Sequence, residues 1–491
     1  MGVTRPAARM RPVELVDEDE DRPASDGPAR PRDGGSDGHD GHDGHGADHV
    51  PVPWRRWWPW LAATVVVVVA AAGIATVRAD RAAQERAERI AGVPGMVRPL
   101  ERTPTVLWRA PAAGAGSVVA AGGAIVLLSA GDGTWTARAH DPVTGQERWQ
   151  RPLVAVPGPG FESLVVTCVP GAAATDVLLC AWTEPDVLYG DGEVTAPAAR
   201  PTRVVAVDPL DGTVVGEWDA PGPTVGVLRV DDDLLVASAQ PDRRVQVVRR
   251  AGTSGETLWS WTSTDALVDP TGVRVPPRLL GDESVITMAG IAPTVLDPRT
   301  GDVIRSGPRG RQMLARGLPD GGYVLWVWTV GAQLRDADGT VRGTVPTMPS
   351  PVVTDGSLDR QLLVDTGNQV EAVAAADGTQ LWRLTTAQEP VAMVDGVVVL
   401  ARDATVEVVD GGDGRALWQQ RGASELVSPP VTDGLHAISA APRGGAVELA
   451  ARGLRDGVLA WEVSLPADVE DVVAVGGRLV ALTGSEALAV G

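Results

Sequence analysis

The chain has 491 residues, 43 basic against 63 acidic, for a net charge of −20, and every one of its basic residues is arginine. Without lysine there is no P-loop lysine, no Schiff-base lysine, no kinase-type strand lysine and no Ser-x-x-Lys acylation site. The acidic balance argues against a nucleic-acid partner, which needs a basic face to neutralise phosphates.

Residues 1–53 carry 12 acidic residues and 6 Arg with almost no large apolar side chains, a composition that reads as a disordered tail. Within it, Asp37-Gly38-His39-Asp40-Gly41-His42-Asp43-Gly44-His45 repeats every three residues. Imidazoles and carboxylates are metal ligands, but a low-complexity solvated tail is the preferred reading, and no metal site is assigned. Trp57 to Val77 is an uncharged apolar run, about 31 Å long as a helix at ~1.5 Å per residue, enough to cross a ~30 Å hydrocarbon core. Trp54, Trp57, Trp58 and Trp60 form an aromatic belt beside Arg55 and Arg56. A single transmembrane helix is therefore expected over 54–78, acting as a signal-anchor, followed by a stalk or linker over 79–103. Arg78, Arg81, Arg86 and Arg89 on the far side offset the positive-inside signal of Arg55 and Arg56. The expected orientation nevertheless puts the tail in the cytoplasm and residues 104–491 outside the membrane.

Over 104–491 a unit recurs of short Val/Leu strands, a Gly-containing turn and Gly-x-x-x-Trp. It stands at Gly145–Trp149, Gly255–Trp259, Gly378–Trp382, Gly414–Trp418 and Gly457–Trp461, with two extra residues between Gly212 and Trp218. Gly301 and Gly339 mark copies without the Trp, and successive turn glycines lie 67, 43, 46, 38, 39, 36 and 43 residues apart. A period near 40 with four short strands per unit is the signature of a β-propeller. A second turn recurs at Gly122-Gly123, Asp355-Gly356, Asp395-Gly396, Asp433-Gly434 and Gly476-Gly477, read as two-residue hairpins.

Ala139-x-Asp141-x-x-Thr144-Gly145-x-x-x-Trp149 resembles the Trp-docking motif of pyrroloquinoline quinone (PQQ)-like propeller repeats, and Val408-x-Asp410 to Gly414-x-x-x-Trp418 matches it nearly. The resemblance covers residues 104–491 and implies an all-β, PQQ-like propeller. Thr103–Trp108 supplies a lone outer strand and Val469–Val490 three strands lacking one, so the two ends complete a composite blade. Eight turn marks plus that blade make nine; because the family usually closes with seven or eight, eight blades are expected, with seven and nine as the neighbouring counts. Cys168 and Cys180 lie opposed on a hairpin; a disulfide is expected, with two buried free thiols as the alternative. The insertion from Tyr189 to Pro201 reads as a surface loop.

Quinoprotein dehydrogenases of this family carry adjacent cysteines and a calcium ion held by Glu, Asn and Asp. This chain has no adjacent cysteines and its one Asn is Asn368, so none of those residues carries over. Asp336, Asp338, Asp410 and Asp413 share one repeat phase and read as turn caps rather than calcium ligands. His140 and His436, the histidines outside the tail, read as structural. There is no His-Glu-x-x-His, no Gly-x-Ser-x-Gly elbow, and Gly114-x-Gly116 lacks the third glycine of a dinucleotide loop. No catalytic, cofactor-binding or metal residue is assigned and no cofactor is expected, PQQ included. The expected function is a membrane-anchored extracytoplasmic interaction or scaffolding module of the cell envelope, not an enzyme. Its partners would be the membrane, through 57–77, and an envelope protein. The alternatives are a PQQ-dependent dehydrogenase and a small-ligand sensor.

Overall fold

A computed structural model describes residues 89–155, 166–183, 189–190, 193–194, 201–267 and 277–491, except 91, 101, 114, 115, 172, 174, 175 and 223. The acidic tail, the apolar run 57–77 and residues 79–88 of the linker lie outside the described residues. No helix among the described residues is long and apolar enough to cross a membrane.

The described chain is a meander of short strands gathered into nine radial sheets. Blade 1 comprises Val118–Ala121, Ala124–Gly131, Thr134–His140 and Glu147–Ala155, numbered first to fourth from the centre outwards. Blades 2 to 5 repeat this plan over 167–220, 224–262, 278–306 and 313–345, blade 6 spans 349–385, and blades 7 and 8 span 389–421 and 431–465. Blade 9 is composite: Val469–Val475, Arg478–Thr483 and Glu486–Val490 come from the C-terminus, and Val106–Pro111 pairs with Glu486–Val490 as its outermost strand.

Middle strands of a propeller blade pack on both faces against neighbouring blades, so they lose the in/out alternation of a one-sided sheet. Val397–Arg402 shows this, with Val397 to Ala401 all buried. Fourth strands reach the rim and recover the alternation: in Leu459–Leu465 the charged Glu462 is exposed and Trp461 buried.

Nine blades, not the expected eight, form because the two units without a docking Trp are complete blades. Where Trp is missing, backbone approach and polar bonds take over. Gly343 occupies the Trp position of blade 5, and a Cβ there would lie 2.0 Å from the Asp377 carbonyl oxygen of blade 6. Between blades 4 and 5, the Ala315 amide donates to Thr287 Oγ1 at 2.9 Å and the Gly317 amide to Asp282 Oδ2 at 2.7 Å.

Three other local expectations change. Asp433-Gly434 lies in a four-residue loop rather than a two-residue hairpin, since Thr432 pairs with Ala437. Asp355-Gly356 does not close a two-residue hairpin, because Val353–Thr354 leaves blade 6 and pairs in parallel with the innermost strand of blade 7. Asp355 Oδ2 and Ser357 Oγ then accept the amides of Asp395 and Gly396, so this segment caps the neighbouring turn. In the 189–201 insertion, Tyr189–Gly190 pairs with Glu193–Val194 as a small hairpin rather than plain loop.

Candidate functional site

Antiparallel meanders place the turns between first and second and between third and fourth strands on one face of the ring, here the turn face. Connections between second and third strands, and from blade to blade, lie on the opposite loop face.

On the turn face each docking Trp closes onto the next blade. Trp149 Nε1 donates to Pro209 O at 2.9 Å, Trp218 to Gly252 O at 2.9 Å and Trp259 to Pro298 O at 3.1 Å. Trp382 donates to Gly411 O at 2.8 Å and Trp418 to Leu454 O at 3.0 Å. In every case the acceptor lies three residues before the turn glycine of the next blade. The indoles of Trp149, Trp218, Trp259, Trp382 and Trp418 cover Gly212, Gly255, Gly301, Gly414 and Gly457 respectively. A glycine is required because its φ is positive and the ring leaves no room: a Cβ on Gly255 (φ +68°) would lie 2.5 Å from Trp218 Cγ. Trp108 of the composite blade repeats the arrangement over Gly145, donating to Pro142 O at 3.5 Å. Gly378 keeps the turn but faces the Thr344 backbone, since blade 5 has no Trp to place there.

A partner position escaped sequence reasoning. A residue at the end of the third strand, last or last but one, holds the turn-glycine carbonyl from the side: His140 on Gly145 O, Arg250 on Gly255 O, Arg335 on Gly339 O and Arg452 on Gly457 O. His140 also stacks on Trp108 at 5.4 Å, and Arg250 lies over Trp218 at 5.5 Å. Its sequence signal is an Arg or His immediately before the turn motif.

The turn aspartates accept backbone amides: Asp338 from Thr340, Asp410 from Gly412 and Asp413 from Arg415, while Asp336 pairs with Arg342. The Arg148 guanidinium and then the Thr144 and Val143 amides hold the Asp141 carboxyl below the usual carboxylate range. The Thr340 amide does the same for Asp338. These carboxylates are therefore committed to their own turns. Among the described residues no three His, Cys, Asp or Glu side chains are grouped to hold a metal ion.

Cys168 and Cys180 face each other across Thr167–Val169 and Leu178–Thr183 in blade 2 and are disulfide-bonded. Cys180 is fully buried, and Asn368 lies in an exposed turn of blade 6. A quinone–calcium centre does not fit these residues: the cysteines staple one hairpin and the Asn stands apart from them. For a closed loop of this size the cross-link contributes about 3 kcal/mol. Native protein should therefore show no reactive thiol until it is reduced. Cys168→Ala/Cys180→Ala should unfold earlier by about 2–3 kcal/mol in urea and lose all sensitivity to reductant; a labelled thiol in unreduced protein would refute the pairing.

The turn face is also where the chain enters the ring. Residues 89–100, at the end of the expected linker, run as a strap over blades 7 to 9. Ile90, Met96 and Val97 are buried. The Val97 amide donates to Thr432 O at 3.0 Å and the Arg98 amide to Gly477 O at 2.9 Å. Trp461, the docking Trp of blade 8, donates to Leu100 O at 3.0 Å, because the composite blade begins with the strap and has no turn motif to offer. Beside the strap, between residues 92–95 and the inner strands of blades 1 and 9, is a cavity of about 470 Å³. Its walls are mostly glycine, alanine and valine and contain no titratable side chain.

Asp433, fully buried, fastens the strap. One oxygen accepts the amides of Leu435 and His436; the other accepts the Leu100 amide at 3.0 Å and pairs with His436 Nδ1 at 2.9 Å. The hydrogen bond to Asp433 raises the His436 pKa above 6.5 against the opposing effect of burial, and the charges of Asp433 and Asp456 add to the rise. A raised folded-state pKa means that the native state binds the extra proton. The stabilisation is full below about pH 6.5 and fades as pH rises through the folded value. The gap in Tm between the native chain and His436→Gln should therefore be widest near pH 5 and narrow towards pH 9; a gap that widens with pH would contradict this pairing.

The ring, its docked indoles and its Asp-Gly turns define a Trp-docked, PQQ-like β-propeller. The chain belongs to the family described as outer membrane protein assembly factor BamB, whose model matches residues 136–317 and 319–490. No curated protein matches the sequence significantly. Among solved structures, BamB from Moraxella catarrhalis is 14% identical, over 74% of this chain and 99% of that one, with a TM-score of 0.39. A europium-containing methanol dehydrogenase is 11% identical over 83% of this chain and 100% of that one, at 0.41. The quinohemoprotein alcohol dehydrogenase of Comamonas testosteroni is 11% identical over 79% and 76%, at 0.40.

Proposed function

We propose that the protein is a non-enzymatic interaction module of the cell envelope, held at the membrane by residues 57–77 with its propeller on the extracytoplasmic side. The observation that carries the reading is the family match across 136–490 to a description that names an assembly factor. The described residues support it: turn carboxylates are committed to backbone amides and the cysteines to each other, leaving a rigid ring that presents loops. A disulfide within the ring accords with an oxidising compartment.

The test is cross-linking of the full-length chain in intact cells, together with protease added from outside. The expected result is a defined hetero-adduct and external cleavage of the propeller. Recovery of the chain as an unpartnered monomer, or a propeller that external protease never reaches, would overturn the proposal. Saturable PQQ binding in the presence of calcium, with dye reduction, would favour the dehydrogenase reading instead.

A further inference from the structure

We infer that the loop face of blades 4 and 5 is a docking surface for an acidic polypeptide segment bearing apolar side chains. This deepens the interaction-module reading and rests on it.

Charge within blade 4 is divided unequally between the two faces, although one arginine, Arg299, stands among the acidic residues of the turn face. Its acidic residues Asp282, Glu283, Asp297 and Asp302 all lie in the turns of the turn face. On the loop face, Arg278 begins the innermost strand, and Arg309 and Arg311 lie in the connection to blade 5. All three are exposed, and Arg278 and Arg311 make no ion pair among the described residues, while Arg309 reaches Asp265 at 2.9 Å. In a chain of net charge −20 such a cluster is a local reversal of sign.

The basic cluster borders an apolar tip. The turn between the second and third strands of blade 5 carries Trp328, 55% exposed, and Val330, 63% exposed. Trp328 is the one exposed aromatic residue among those whose burial is described. Thr329, at φ +68°, and the bond from the Val330 amide to Val327 O shape the tip. The Trp328 amide donates to Gln312 O at 2.9 Å, joining the tip to the loop that holds Arg309 and Arg311. Arg278 pairs with Ala289, and the Gly310 amide donates to Ile291 O, so the three arginines flank one turn. Trp326 meets Trp328 edge-on at 5.9 Å and 88°.

An exposed Trp joined to a loop that carries exposed arginines has the composition of a protein-interface hot spot. The edge-on indoles share no plane, which disfavours flat stacking of sugars or bases, and the acidic chain as a whole repels polyphosphates. Carboxylates alternating with apolar side chains match both features of the patch.

The test titrates full-length protein with a fluorescent peptide of about 12 residues, some 40 Å extended, in which Glu and Leu alternate. Saturable, salt-sensitive binding is expected. Arg278→Glu/Arg309→Glu/Arg311→Glu and Trp328→Ala should each weaken it at least about tenfold while leaving Tm unchanged. Absence of binding, unaltered affinity in these variants, equal competition by polyglutamate, or preference for anionic vesicles would overturn the proposal. A photo-cross-linker placed in cells at position 328 or at Leu435 on the turn face separates the two levels. Adducts at 328 that vanish in the arginine variant support the patch. Adducts at 435 alone refute the patch while leaving the interaction module standing, and adducts at neither position count against both.

Discussion

Trp149→Ala is expected to lower the free energy of unfolding by about 3–5 kcal/mol, the range for truncating a buried Trp. The indole is 7% exposed, covers the Gly212 turn of blade 2 and donates to Pro209 O. Removing it opens a space at a blade junction and leaves that carbonyl without its donor, so the transfer, cavity and hydrogen-bond losses fall on one residue. Gly212→Ala attacks the same junction from the other side. Its φ is +77° and a Cβ would lie 2.8 Å from the ring, so both backbone strain and steric overlap oppose the methyl group. The two changes should not add: with the indole gone, Gly212→Ala retains its φ cost but loses the clash, and the double variant should cost less than the sum. Arg305→Ala provides the contrast. Arg305 occupies the equivalent position of blade 4, exposed and without an ion pair among the described residues, and should change stability by under about 0.5 kcal/mol. Urea midpoints for the four variants decide the matter, and a loss below about 1 kcal/mol for Trp149→Ala would refute the locking role.

Asp433→Ala is expected to cost about 3–5 kcal/mol and to free the strap. The carboxylate is fully buried and serves three backbone amides and one imidazole, all of which lose their acceptor together. Asp433→Asn separates its two roles. An amide oxygen can still cap Leu435 and His436, but the side-chain NH2 that replaces the second oxygen cannot accept from Leu100. The Asn variant should therefore lose less stability than the Ala variant and yet open the Arg102–Thr103 bond to trypsin. Peptide mapping at short digestion times measures this. Equal resistance of the native and Asn proteins at Arg102 would show that the strap is held by its buried Met96 and Val97 alone.

The blade repeat was legible in the sequence because it rests on local rules. Gly-x-x-x-Trp needs a positive-φ residue at the turn and an indole four positions on, and both are fixed by spacing. The composite blade was legible too, since a strand at 106–111 and three at 469–490 each lack what the other supplies. The blade count was misjudged where the repeat had lost its Trp at Gly301 and Gly339, because the contacts that replace it join residues about 30 or more apart: Thr287 with Ala315, Gly343 with Asp377. The strap left a weak trace in Ile90, Val93, Met96 and Val97, which read as ordinary linker until Thr432 and Gly477 are known to lie beside them.

By itself the sequence determined an all-β ring of Trp-docked blades, its repeat phase, the opposition of Cys168 and Cys180, and the mechanisms that an absence of lysine excludes. Those properties follow from residue type and short-range spacing, which act before the chain closes. The tertiary structure alone decided that nine blades close the ring, that Leu100 replaces a missing turn beneath Trp461, and that Arg278, Arg309, Arg311 and Trp328 meet on the loop face of blades 4 and 5. Each depends on which distant segments closure brings together, and a ring closes only once its last blade has met its first.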